Sequence, residues 1–288
     1  MIRPKKKVFC RKLFFVYDRV MNTVSLCWID FYKWSYHHCL SEIQCRASDK
    51  ITTLVVTPNP EMLYEAHQNK NLKKILQNAD YALPDGAGIF VAYQIEQSSL
   101  PRILKYLLFP YWCARAVFHG KRMRKLYGER ITGSRLTRDI LRYAEQRKIT
   151  VTIIDPIVHG KTAWDKTKKL SQASMETNIL RKYPDISLNI IISDSVPDDL
   201  PHHGIILATH GSGKQEKLLA EILHEFPHCG VALGVWGSID LITGFRAPAP
   251  VFFQRFGGEW LYRLYKNPKR HLVRMKKVVS FLHQRIKK

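Results

Sequence analysis

Hydrophobic and polar positions along this chain follow two rhythms, and the rhythm switches repeatedly. Val24 to Ile29 reads as a strand, and residues 31–47 read as a helix. Threonines and branched aliphatics from Ile51 to Val56 predict another strand, stopped by Thr57-Pro58-Asn59-Pro60. Asn59 suits a helix N-cap and Pro60 a first helical turn, so a helix should run to about Gln68. Next come a helix from about Asn71 to Ala79, the short strand Tyr81–Leu83, a turn over Pro84–Gly88, and a helix beginning over Ile89–Gln94. Strands recur at Thr150–Ile154, Ser187–Ile192, Gly204–Ala208 and Gly230–Leu233, with helical segments between them. This alternation implies parallel strands joined by crossover helices. The expected fold is α/β: a Rossmann-like layered parallel sheet with flanking helices.

In such sheets the ligand crevice lies beyond the carboxyl ends of the strands. Three polar loops fall there: Thr57-Pro58-Asn59, Pro84-Asp85-Gly86 and the segment from His210 to Glu216. The third puts small residues before a helix whose N-terminal amides suit an anion. It lacks P-loop spacing, and no GxGxxG fingerprint occurs in the chain. Spacing alone therefore gives a cleft for a phosphorylated ligand with Asp85 as its most suggestive carboxylate. The same Asp-Gly pair also reads as an ordinary turn.

Composition adds one thing. Hydrophobic residues make up 45% and charged residues 24%, which excludes a disordered or low-complexity chain. The formal net charge of +22, however, points to an anionic partner: nucleic acid, a membrane surface or phosphorylated substrates. The excess is localised. Residues 1–46 carry a net of +6, residues 102–130 carry +7 and residues 246–288 carry +11, leaving a nearly neutral body. Six cysteines without a CxxC pair suit reduced thiols in a cytosolic compartment, and His37-His38 and His202-His203 lack metal-ligand spacing, so no metal site is expected. No run approaches the roughly 20 apolar residues of a membrane span. Lys5-Lys6-Lys7 followed by Leu13 to Val16 is too short and too charged for a signal peptide.

Past Asn267, a capping residue followed by Pro268, the apolar positions Leu272, Met275, Val279, Leu282 and Ile286 recur at steps of three and four. Arg270, Arg274, Lys277 and Lys288 flank this stripe, giving a basic amphipathic helix suited to an anionic membrane surface. The stripe equally suits packing on the core, and the two readings are compatible. Tyr106 to Trp112, set among Arg102, Lys105, Arg115 and Lys121, reads as a second membrane contact, with a solvated lid or a partner surface as alternatives.

The loops also carry a resemblance. Thr57-Pro58-Asn59-Pro60-Glu61 and the segment from Ala79 to Gly88 resemble the opening blocks of the WecG/TagA/CpsF glycosyltransferases. Glu129-Arg130-Ile131-Thr132-Gly133-Ser134, Lys214-Gln215-Glu216, Arg246-Ala247-Pro248 and the segment from Glu259 to Arg270 agree with later blocks, in order, so that the resemblance covers about residues 20–275. It implies an inverting, metal-independent transferase without a cofactor. Such an enzyme moves an N-acetylhexosamine-type sugar from a UDP-sugar donor to a polyprenyl-diphosphate-linked acceptor in cell-surface polysaccharide synthesis. The expected location is cytoplasmic and peripheral, on the inner face of the plasma membrane.

By the resemblance, Asp85 matches the general base, which a carboxylate near its ordinary pKa can serve at pH 7. Thr57 and Asn59 match polar residues of the substrate pocket, and Gln215 matches a donor contact. Arg263, Arg270 and Arg274 match cations that the C-terminal appendage brings to a diphosphate. Three departures leave the donor open: Gly213 replaces a proline, Arg135 stands where the family often has Asp, and Asp155-Pro156 occupies the place of a glycine pair. The expected organisation is a basic tail over 1–19, a catalytic domain over 20–245 with an insertion at about 100–127, and a helical appendage over 246–288. An appendage folding onto a neighbouring copy would make a homo-oligomer. The rival readings are a nucleic-acid-binding protein, which no recognised motif supports, and a catalytically degenerate scaffold.

Overall fold

The computed structural model describes residues 23–118, 121–156, 172–235, 237–250, 253 and 259–287; of residues 121–123, 259–261 and 270 it describes only the backbone. The expected tail over 1–19 lies outside the described residues. Two short strands come first, β1 (Thr23–Leu26) and β2 (Ile29–Tyr32), paired antiparallel. They stand where one strand and the start of a helix were expected. Cys27, at φ 61°, turns the chain between them. Helix α1 (Tyr36–Ser48) therefore begins later than expected, where the Ser35 side chain accepts from the His38 amide.

The body is one parallel six-stranded sheet in the order β4-β3-β8-β7-β5-β6. Its strands are β3 (Thr53–Val56), β4 (Tyr81–Ala82), β5 (Val151–Asp155), β6 (Leu188–Ile192), β7 (Gly204–Ala208) and β8 (Gly230–Gly234). Strands β3, β5 and β7 are buried throughout, which explains their continuous apolar runs: a parallel sheet is covered on both faces. Alternation along each strand sorts the core into two layers. Leu54, Val56 and Ile206 face one cluster, whereas Val55, Ile205 and Leu207 face the other. Each such side chain contributes about 1.5–3 kcal/mol relative to leaving it in water.

On the first face pack α2 (Pro60–Gln68), α3 (Lys70–Asn78), α4 (Ala87–Glu96), α6 (Phe109–Phe118) and α10 (Lys214–Glu225). The second carries α1, α8 (Gly133–Arg147), α9 (Gln172–Leu180) and α11 (Ser238–Ile242). Helix α4 is buried from Ile89 to Ile95, so it has no polar face to signal its extent.

The stretch expected as an insertion is helical. After α5 (Arg102–Leu107), α6 buries Trp112 and Ala116 against the core, and the Gln94 amide of α4 donates to Trp112 O at 3.1 Å. At the end of α7 (Lys121–Tyr127), Tyr127 stacks on Tyr93. The C-terminal segment forms α12 (Glu259–Lys266) and α13 (Pro268–Lys287), divided at Asn267. Of the expected stripe, Leu282 and Ile286 are buried and Leu272 and Val279 exposed, while Phe281 joins the core. The second half of α13 is thus part of the hydrophobic core, and its first half overhangs it.

Candidate functional site

Beyond the carboxyl ends of β3 and β4, two loops are joined by backbone hydrogen bonds. Leu83 N donates to Val56 O at 2.9 Å and Asp85 N to Pro58 O at 3.2 Å. Asp80 orients the pair from below by accepting from Leu54 N at 2.8 Å. These contacts set Asp85 beside Thr57-Pro58-Asn59, with all three candidate side chains partly accessible. Gly86, at φ 85°, then enters α4 in a conformation that disfavours L side chains. Gly88 permits the close approach of α2: a Cβ there would lie 2.6 Å from the Pro60 ring.

Asn59 has a structural duty as well. Its Oδ1 accepts the Met62 amide at 2.9 Å, capping α2 as its sequence position implies. Glu61 follows one residue into the helix, where an acidic side chain suits the positive helix end. Arg274 Nε donates to Glu61 at 2.5 Å, and Lys277 Nζ donates to Glu65 at 2.6 Å and lies 3.5 Å from Glu61. The Glu65 hydrogen bond holds the Lys277 ammonium above its usual pKa. The first half of α13 is thereby fixed, through Arg274 and Lys277, to α2, whose first turn follows the Thr57–Asn59 loop. Arg263 sits half-buried on α12, across the break at Asn267, so it does not share a helix with Arg274. The Arg270 side chain lies outside the described residues.

At the end of the loop from His210 to Glu216, a buried carboxylate closes back on the loop's own backbone. Glu216 is buried and accepts the Gly213 amide at 2.7 Å, while Gln215 Nε2 donates to Glu216 at 2.8 Å. Burial pushes the Glu216 carboxyl above its ordinary pKa. Gln215 is itself buried against Gly234, where a Cβ would come within 2.2 Å of its amide nitrogen. The loop's carboxylate thus occupies an amide that the sequence suggested for an anion. A proline in place of Gly213 could not donate this bond, so the glycine exchanges ring rigidity for a hydrogen bond.

The Glu129–Ser134 block borders the same edge. Ile131 N donates to Pro84 O at 3.1 Å, and Glu129 accepts the Tyr36 amide at 2.8 Å. Arg135 stacks on the Tyr36 ring at 3.6 Å. The Tyr36 phenol donates to Asp139 at 2.6 Å, and burial first, then that bond, pushes its pKa upward. The reversed charge at position 135 is thus directed onto an aromatic face. Gly133 Cα faces the start of α11, and Arg246 pairs with Asp240 there at 3.8 Å. At the far strands, Asp155 accepts from the Thr209 hydroxyl, bridging the ends of β5 and β7. Among the described residues no three His, Cys, Asp or Glu side chains gather as a metal site.

Sequence reading assigned no positioning role to Glu61, Glu65, Asp80 or Lys277. Their partners lie up to 213 residues away, so no local spacing marks them. The arrangement offers a carboxylate, neutral hydrogen-bonding groups and an approaching guanidinium at one strand-end crevice. That inventory suits proton removal from a hydroxyl beside a phosphorylated leaving group.

Comparison with known proteins adds a family match. Residues 24–128 and 116–288 match the profile described as the Glycosyl transferase WecG/TagA/CpsF family. An N-acetylglucosaminyldiphosphoundecaprenol N-acetyl-beta-D-mannosaminyltransferase of Bacillus spizizenii is 29% identical over 218 residues, covering 75% of this chain and 72% of that protein. The protein of the same name from Bacillus subtilis is 23% identical over 227 residues, covering 76% and 73%.

Proposed function

The chain belongs to the WecG/TagA/CpsF family and is a glycosyltransferase, and from that premise we propose that it moves N-acetylmannosamine, or a closely related hexosamine, from a UDP-sugar to a polyprenyl-diphosphate-linked sugar. The observation that carries this reading is the tie between Asp85 and the Thr57–Asn59 loop, with Arg274 anchored at Glu61 beside them. In this reading Asp85 takes the proton from the acceptor hydroxyl as its oxygen attacks the anomeric carbon. The bond to UDP breaks, and configuration at that carbon inverts. Thr57 and Asn59 hydrogen-bond sugar or phosphate, and Arg274 with Arg263 and Arg270 receives the charge on the departing diphosphate. Gln215, buried behind Gly234, acts on the donor by shaping the crevice floor. No metal ion or cofactor enters any of these steps.

The acceptor's lipid sets the location. The names of both relatives specify an undecaprenol-linked acceptor. No helix among the described residues is long and apolar enough to cross a membrane. We place the protein at the inner face of the plasma membrane, docked through basic surfaces.

The test is UDP release from a panel of UDP-sugars, with and without polyprenyl-diphosphate-linked GlcNAc in detergent. Acceptor-dependent release is expected, and Asp85→Asn should lower kcat by about 10²–10⁴ while leaving the melting temperature unchanged. Near-normal turnover in the variant would remove Asp85 as base. Release that ignores the acceptor would overturn the proposed acceptor class.

A further inference from the structure

The insertion between α4 and α8 has two apolar faces, and the core uses only one of them. Helices α5 and α6 run on almost without interruption, since Leu108 N donates to Leu104 O at 2.9 Å and Trp112 N to Leu108 O at 3.0 Å. Inward, this rod buries Trp112 and Ala116. Outward, Ile103 is 76% exposed, Leu107 70%, Tyr111 55% and Leu104 42%. At about 100° per residue these four fall within a sector of roughly 100°. The outer surface is therefore a continuous apolar stripe, too concentrated for scattered surface hydrophobes.

A second stripe joins it. The Tyr106 hydroxyl lies 2.7 Å from His283 Nδ1, fastening α5 to α13. Leu272, Lys276, Val279 and His283 occupy a sector of about 60° on α13, and Leu272 and Val279 are more than half exposed. Both stripes thus meet at the Tyr106–His283 contact.

We propose that the outer stripe of α5–α6, continued by Leu272 and Val279 of α13, is a membrane-inserting platform that seats in the interface of an anionic bilayer. This rests on the lipid-linked acceptor of the proposed function. Charge selects the occupant. From Gln97 to Gly128 the chain has seven basic residues and no acidic one. Arg102, Arg124 and Lys125 are exposed, and Arg115 lies over the Tyr111 ring at 5.5 Å. A second copy docking through this face about a two-fold axis would set cations against cations. Anionic headgroups instead complement them, while the apolar side chains and Tyr111 suit the acyl boundary.

The platform is also rigidly connected to the catalytic loop. Helix α4 starts beside Asp85, is about 15 Å long by its ten residues, and ends at Glu96. There Arg285 of α13 donates to Glu96 at 3.0 Å. Seating the platform therefore holds Asp85 at a set height over the bilayer, which suits a diphosphate whose lipid tail stays in the membrane.

The test uses the full chain in flotation with phosphatidylcholine vesicles, with and without phosphatidylglycerol. Wild type is expected to float with the anionic vesicles. Ile103→Ser/Leu107→Ser should weaken partitioning at least about tenfold, as expected for removing two apolar side chains from a bilayer interface. Leu272→Ser/Val279→Ser is a second, independent variant expected to act in the same direction. Both should keep the wild-type melting temperature and wild-type UDP release with a short-chain, water-soluble acceptor. Unchanged flotation of both variants would overturn the platform. A concentration-dependent dimer that Ile103→Ser/Leu107→Ser dissociates would overturn it too, by assigning the face to a second copy. Failure of the wild type to turn over the soluble acceptor would instead count against the proposed function, with flotation still deciding the platform.

Discussion

At the residue scale, several side chains near the crevice have two duties that substitutions can separate. Asn59 caps α2 and is also a candidate substrate contact. Asn59→Ala should cost about 1 kcal/mol by loss of the cap, whereas Asn59→Ser keeps a capping oxygen at nearly full stability. A fall in kcat/KM in the serine variant, at wild-type melting temperature, would establish the second duty; unchanged turnover would leave only the cap. Glu216 offers a pH test. Its native carboxyl titrates above the usual range because it is buried, so its stabilising contribution is fully present below the unfolded value of about 4.3. That contribution is lost as pH rises through the native value. Glu216→Gln should therefore gain relative to wild type in melting temperature between pH 4.5 and pH 8. A constant difference would contradict the burial account. Asn59 was legible because capping is a local rule. Glu216 was not, because its burial depends on α10 meeting β7 and β8.

At the scale of elements, the strand–helix alternation was readable because a parallel sheet needs apolar runs on both faces, and β3, β5, β7 and β8 supply them. The hairpin β1–β2 was not, since its turn depends on Cys27 at positive φ, where no glycine or asparagine marks it. That turn is held from a distance. Cys27 N donates to Glu96 at 3.1 Å, and Arg285, almost fully buried, donates to the same carboxylate and lies 3.0 Å from Cys27 Sγ. Three elements far apart in sequence share one carboxylate. Arg285 is the buried member of the pair and Glu96 keeps contact with water, so removing the carboxylate leaves an uncompensated buried guanidinium, a loss of at most about 3–5 kcal/mol. Glu96→Gln should lose part of that in chemical denaturation, while Glu96→Gln/Arg285→Met should recover much of it. Equal losses in the single and double variants would show that the uncompensated guanidinium does not set the loss.

At the scale of the whole molecule, the question is how charge and apolar surface divide the work at a membrane. The net charge of +22 is concentrated at both ends and in the insertion, so its field favours approach to an anionic surface. Exposed charges, however, act within a Debye length of about 10 Å at 0.1 M salt, shrinking to about 3 Å at 1 M. Inserted apolar side chains carry no such dependence. Binding to anionic vesicles should therefore fall as sodium chloride is raised, then level at a residue that resists salt. That residue should vanish in Ile103→Ser/Leu107→Ser, which leaves every charge in place. If wild-type binding instead drops to zero by 1 M salt, cations alone account for it and the apolar stripe is not inserted. Truncation at residue 267 cannot make this distinction, because it also strips Phe281, Leu282 and Ile286 from the core. It should abolish cooperative unfolding along with vesicle binding. In the proposed platform the C-terminal helix is both a docking surface and a structural member, so point variants on its outer face separate roles that deletion merges.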